Sequence, residues 1–138
     1  MTVKFTVLGE PRGKQRPRMT RNGHTYTPAE TVQYENLVRM EYRRQCSDYR
    51  FPDDAALDMR IMAYYAIPKS ASKKKRQEML AHRIRPLKKS DWDNVGKIIA
   101  DSLNEIAYKD DVQSVDGQVR KFYSDQPRVV VTIQAASV

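Results

Sequence analysis

The period of the hydrophobic pattern changes several times along the chain, and each change marks an element. Val3, Phe5 and Val7 alternate with Lys4 and Thr6, the two-residue period of a half-buried strand. From Gly9 to Gly23 the period is lost among Pro11, Gly13 and Pro17, which predicts a flexible loop. Thr27-Pro28 reads as a helix start, with threonine at the cap and proline at the first helical position. That helix should reach Cys46 with Val32, Tyr34, Leu37 and Met40 turned inward. Leu57, Met59, Ile61, Ala63 and Tyr65 alternate with Asp58, Arg60, Met62 and Tyr64, a longer strand ending near Ile67-Pro68.

Beyond Pro68, Ser70 or Ser72 can cap a short helix carrying Met79 and Leu80 on one side. Trp92, Val95, Ile99, Leu103 and Ile106 then recur at helical spacing, with Asp93, Lys97, Asp101 and Asn104 on the opposite face. This amphipathic helix has Ser90 or Asp91 at its cap and Trp92 as an inward anchor. Val112 to Tyr123 reads as a strand with a bulge at Gly117, and Val129, Val131 and Ile133 mark a final one after the Asp125-Gln126-Pro127 turn. The last two strands are expected to pair as an antiparallel hairpin. The order predicts an α+β domain: a mixed sheet of about four strands with two main helices on one face and a basic insert between them.

Composition narrows the class. A chain of 138 residues with 40% hydrophobic content suits one domain over 1–138 and is too apolar for a fully disordered protein. Cys46 has no cysteine partner for a disulfide or a metal knuckle, and no apolar run approaches the roughly 18 residues of a membrane span. The expectation is a reducing cytoplasm, with no membrane partner and no organic cofactor.

Charge changes the picture more. The net charge is +8, and the segment 69–89, with nine basic residues against Glu78, accounts for all of it. Within it Lys73, Lys74, Lys75 and Arg76 form an unbroken run. The 9–23 loop adds Arg12, Lys14, Arg16, Arg18 and Arg21 against Glu10, and alternate cations in an extended loop suit the spacing of backbone phosphates. The loop alone reads equally well as a solvated face, and a run such as that of the insert is usually one, but the insert leads directly into the acids at Asp91. Between Asp91 and Asp116, however, seven carboxylates face two lysines. Acids gathered this closely raise one another's pKa unless a cation favours the charged form. Asp91 and Asp93 can also be read as helix-start acids that suit the dipole. A second acidic pair, Asp110-Asp111, lies beyond the end of the helix, where the dipole disfavours it.

Asp91-Trp92-Asp93-Asn94, then Lys97, Asp101-Ser102-Leu103-Asn104 and Tyr108-Lys109-Asp110-Asp111-Val112-Gln113 make the chain resemble the RusA-type Holliday junction resolvases, small homodimeric endonucleases common in bacteriophages and prophages. The segment Gly13-Lys14-Gln15-Arg16-Pro17-Arg18, with Tyr26-Thr27-Pro28 and Tyr34-Glu35 after it, is similar to that of phage members, so the likeness covers most of the chain. Between 68 and 89 the chain departs from the shortest members by a longer basic insert. The resemblance implies magnesium, with manganese as a substitute, bound by Asp91, Asp93 and Asp111. It also implies a required lysine at Lys97, and a two-fold dimer making paired symmetric nicks across a four-way DNA junction. Asp101 and Asp110 are expected to stand behind the metal ligands, and Lys14, Arg16, Arg18, Lys73, Lys74, Lys75 and Arg76 to contact DNA.

For the acids to act together, the connection after Asn104 must return Asp111 to the start of the helix. The leading alternative is a non-catalytic nucleic-acid-binding module in which the acids are caps. A weaker one is an RNA-directed basic protein, which has little use for carboxylates beside phosphates.

Overall fold

A computed structural model describes all 138 residues. Strand β1 spans Thr2–Leu8, with Val3, Phe5 and Val7 buried as their alternation requires. The loop that follows is extended apart from a small antiparallel ribbon, β2 (Arg18–Met19) with β3 (Thr25–Tyr26). Helix α1 runs Ala29–Cys46, with Pro28 at the cap position one residue later than the sequence pattern suggests. Its buried stripe is Thr31, Tyr34, Glu35, Val38 and Tyr42. Val32 and Met40, expected inside, are exposed. The helix thus turns a polar line containing one glutamate toward its neighbours.

Strand β4 (Leu57–Ala66) buries Leu57, Met59, Ile61, Ala63 and Tyr65. Helix α2 (Lys73–Leu80) begins where Ser72 Oγ accepts the Lys75 N–H, and only Met79 of its apolar residues is buried. Helix α3 spans Trp92–Ser102, shorter than the stripe suggested, and buries Val95, Ile98, Ile99 and Ser102. A single 3-10 turn over Asp111–Gln113 leads into β5 (Ser114–Ser124), and β6 is Arg128–Ala135.

The four-stranded sheet has the order β1-β6-β4-β5. The expected β5–β6 hairpin is absent. β5 pairs parallel with β4, while β6 lies antiparallel between β1 and β4. Burial explains the exchange: Val129, Val131 and Ile133 suit a central strand, whereas Asp116, Gln118 and Arg120 suit an edge. The connection through α2 and α3 is long enough for the crossover that parallel pairing needs. The register slips opposite Leu57/Asp58, so the extra residue is Val115 and the bulge is not at Gly117.

α1 and α3 pack on each other and on one face of the sheet, as expected for the two main helices. α2 belongs to the other face. Tyr64 and Phe122, paired across β4 and β5, point away from the core residues beside them, and His82, just after α2, packs on Phe122. The C-terminal ends of β1, β4 and β5 and the start of β6 all lie at one end of the sheet. There Gly9 N–H reaches Pro127 O, Glu10 accepts the Ala66 N–H, and Arg76 pairs with Asp125. The basic loop and the basic insert therefore leave from the same end.

Candidate active site

The start of α3 also lies at that end, tied down from two sides. Lys121 Nζ donates to Ser90 O at 3.0 Å, and the Lys14 N–H donates to Asn94 O at 2.9 Å. Gly13 makes the second contact possible, since a Cβ there would stand 3.0 Å from Ser90 Cβ and 3.2 Å from Asn94 Cβ. Asp91 occupies the cap position, yet its carboxylate makes no capping hydrogen bond. Asp93 accepts only the adjacent Asn94 N–H. Neither acid meets a lysine or arginine side chain, so the capping role that competes with a chemical one accounts for little of either carboxylate.

Trp92, between them, is 65% exposed rather than an inward anchor. It is three residues before Val95, at the rim of the buried stripe, and borders a shallow cleft with Arg85, Val119, Arg120 and Lys121. Gly96, one turn later, is where Val119 presses on the helix instead.

Lys97 projects from the solvent side of α3 with its side chain 61% exposed, and its nearest acid is Asp101 at 3.8 Å. Asp101 is the better-engaged residue. Lys14 Nζ lies 3.4 Å from it and 2.8 Å from Glu35 Oε2, with only 19% of the lysine side chain exposed. The DNA-contact role expected of Lys14 is therefore replaced by an internal one: it fastens the basic loop to α1 and α3. Glu35 escapes the sequence reading as a functional side chain, although a glutamate on the buried line of α1 is a readable signal that a cation must come to it.

Asp111 lies at the opposite end of α3. Its N–H donates to Asn104 Oδ1 at 2.8 Å, and its carboxyl is near enough to those of Asp101 and Asp110 to feel their charge. Burial first, then those two acids, push its pKa up to about 6. Asp110 is held below the usual carboxylate range by the Val112 N–H and by the hydrogen bond to Asp111. It is a cap: its side chain and that of Gln113 form a reciprocal capping box around the 3-10 turn. The ten residues from Asp91 to Asp101 place the two acidic centres about 15 Å apart along the helix. No three His, Cys, Asp or Glu side chains of the chain are grouped to hold a metal ion. The expected return of Asp111 to Asp91 and Asp93 does not occur within one chain, because Asn104 and the capped turn hold it at the far end.

Of the other residues expected on DNA, Arg16 and Arg18 are exposed on the loop, and Lys73, Lys74 and Lys75 are exposed on α2. Arg76 is engaged by Asp125. Arg16 and Arg18 belong to the loop that is fastened on the helix face, whereas the α2 run lies across the sheet from the carboxylates and shares only their end of the molecule. No helix is long and apolar enough to cross a membrane.

A profile of the family described as Endodeoxyribonuclease RusA matches residues 9–134. A relative in Bacillus subtilis (strain 168), "Uncharacterized protein YqaN", is 38% identical over 140 residues, covering 98% of this chain and 97% of that one.

Proposed function

The chain belongs to the RusA endodeoxyribonuclease family, and on that premise we propose that it is a structure-selective nuclease that resolves four-way DNA junctions by paired nicks, as a two-fold dimer in the bacterial cytoplasm, with a phage or prophage origin. The observation that supports this most is the state of Asp91 and Asp93: two carboxylates at the positive end of a helix, unused as caps and without ion pairs, beside a loop and an insert rich in cations. Free acids at the basic end of a protein are poorly placed for binding a polyanion and well placed for cutting one.

Magnesium, or manganese in its stead, is part of the proposal, and Asp91 and Asp93 are the oxygen donors a hard cation would take. The third expected ligand does not fit inside one chain, so in this reading Asp111 serves the site of the second protomer. Bound there, the ion supplies Lewis acidity and a more acidic water. This chain's own contribution is separable. Lys97 places a mobile ammonium one turn from Asp93, suited to charge that builds on a phosphate, while the Lys14 backbone N–H and the Lys121 ammonium hold the helix start against the loop and β5.

Incubation with a synthetic four-way junction and its matched duplex, with magnesium and with chelator, tests the reading. Symmetric nicking of the junction alone, and only with metal, is expected. A junction that is bound but never cut would instead identify the non-catalytic binding module.

A further inference from the structure

Three arginines on the face of the sheet away from α1 and α3 share an unusual environment. Arg85 Cζ lies 4.1 Å and Arg120 Cζ 4.9 Å from the centroid of the Phe122 ring, and Arg128 Cζ lies 4.0 Å above the Tyr64 ring. The two rings stack on each other at 5.5 Å, so the three guanidinium groups sit over one aromatic platform. Arg85 is further fixed by its Nε–H to Lys121 O, and Arg128 by Nη1–H to Ser124 Oγ and Gln126 O. None of the three has a carboxylate partner. Arg16, Arg18, Arg21, Arg39 and Arg43 also lack one, but none of those five is laid on an aromatic ring.

A guanidinium laid on a ring keeps its charge and most of its donors while losing the rotamer freedom that binding would otherwise cost. Three such groups without acids, flanked by the exposed cations of α2, form a preorganised phosphate surface. This surface lies on the sheet face opposite α3 and meets the carboxylate side only round the β5 edge, where Arg85 and Arg120 border the cleft beside Trp92. A straight duplex seated at the carboxylates runs past the helix face, whereas an arm leaving the crossover can turn round the β5 edge, along the cleft of Trp92, Arg85 and Arg120, and run past the other face. We infer that Arg85, Arg120 and Arg128 bind backbone phosphates of a second arm of the branched substrate, so that the two faces of one sheet hold two arms at an angle. The inference rests on the junction-cutting reading above and adds the determinant that distinguishes a junction from a duplex.

The test compares wild type with two triple variants, Arg→Gln and Arg→Lys at 85, 120 and 128. Each is titrated with the four-way junction and the linear duplex in chelator over a range of salt, and oligomer mass is measured by light scattering. Glutamine keeps much of the side-chain packing, and the lysine set keeps the charge. For the Gln set the slope of log affinity against log salt should fall by about two to three on the junction, near 0.9 for each phosphate no longer neutralised, with little change on the duplex. The Lys set should recover the slope. An unchanged junction slope overturns the inference, as does equal loss on both DNAs, or a Lys set that behaves like the Gln set and so reveals a packing role. A change of oligomer mass also overturns it, and assigns the patch to a subunit contact. Wild type that binds neither DNA defeats the junction-cutting reading itself and this inference with it. A binding wild type with unaffected variants defeats the inference alone.

Discussion

Lys14 Nζ and Glu35 Oε2 stand 2.8 Å apart with 19% and 10% of their side chains exposed, so one ion pair fastens the basic loop to the buried side of α1. Replacing Lys14 by methionine leaves Glu35 and Asp101 without their shared cation in a partly buried place, and a destabilisation of about 2 kcal/mol is expected, between the surface and buried cases. Urea unfolding measures it, and adding Glu35→Gln should restore part of the stability. Burial alone would lower the pKa of Lys14, but the hydrogen bond and charge of Glu35, with Asp101, raise it above 10.5. Its contribution is therefore complete below that pH and disappears as pH rises through the folded value. A pair that broke on acidification between about pH 9 and 6 would contradict this.

Asp111 is shifted in the same direction, so it too loses stability as pH rises, but at far lower pH and because folding disfavours its charged form. With a folded pKa of about 6 against 3.8 for the free side chain, the native state holds the proton more tightly than the unfolded chain. Stability should fall as pH rises from about 4 to 6 and stay reduced above that. Asp111→Asn should melt above wild type near pH 7 and level with it near pH 4. Equal melts at both values would show that neither burial nor the neighbouring Asp110 and Asp101 disfavours the charged carboxyl.

Asp91→Asn and Asp93→Asn should each abolish nicking while junction binding holds or tightens, since each removes a negative charge that faces DNA. The separation of Asp91 from Asp111 along α3 adds a complementation test. Asp91→Asn and Asp111→Asn proteins, each inactive, are mixed and allowed to exchange protomers. If the site is shared across a dimer, every mixed dimer carries one intact site and single nicks return. Continued silence of a mixture shown to contain mixed dimers would place the whole site in one chain.

Lys97→Ala should lower single-turnover cleavage about 10²–10³-fold, as removal of one transition-state donor does. Its only acid neighbour is 3.8 Å away and the side chain is 61% exposed, so the melt should barely move. A shifted melt with an unaltered rate would make it a surface ion-pair residue.

The strands are legible in the sequence because alternation reports a half-buried face directly: Val3, Phe5 and Val7, or Leu57 to Tyr65, could hardly face otherwise. Their partners are not. Chain adjacency suggests a β5–β6 hairpin, and what decides against it is the competition of Val129, Val131 and Ile133 for the middle of the sheet, a comparison between strands that no single window contains. The two helical errors have a common cause. Val32, Met40 and Trp92 are apolar, yet in each helix the buried line is set by its neighbours, and in α1 it includes Thr31 and Glu35. Of the site, Asp91, Asp93 and Lys97 can be read as one helical start from their spacing. The role of Lys14 cannot, because its partners Glu35 and Asp101 are brought to it from α1 and α3, elements far apart in the chain.

The gathering of the loop, the insert and the start of α3 at one end of the sheet has a kinetic meaning. Glu105, Asp110, Asp111 and Asp116 lie toward the other end, so the molecule is electrically polar along its strands as well as net positive. In the field of an approaching polyanion such a body experiences a torque before it touches anything. At low salt, where the Debye length reaches about 30 Å, it should arrive already turned with its cations forward. Much of its orientational search would then be complete at first contact, and raising the salt would slow capture more than it hastens release.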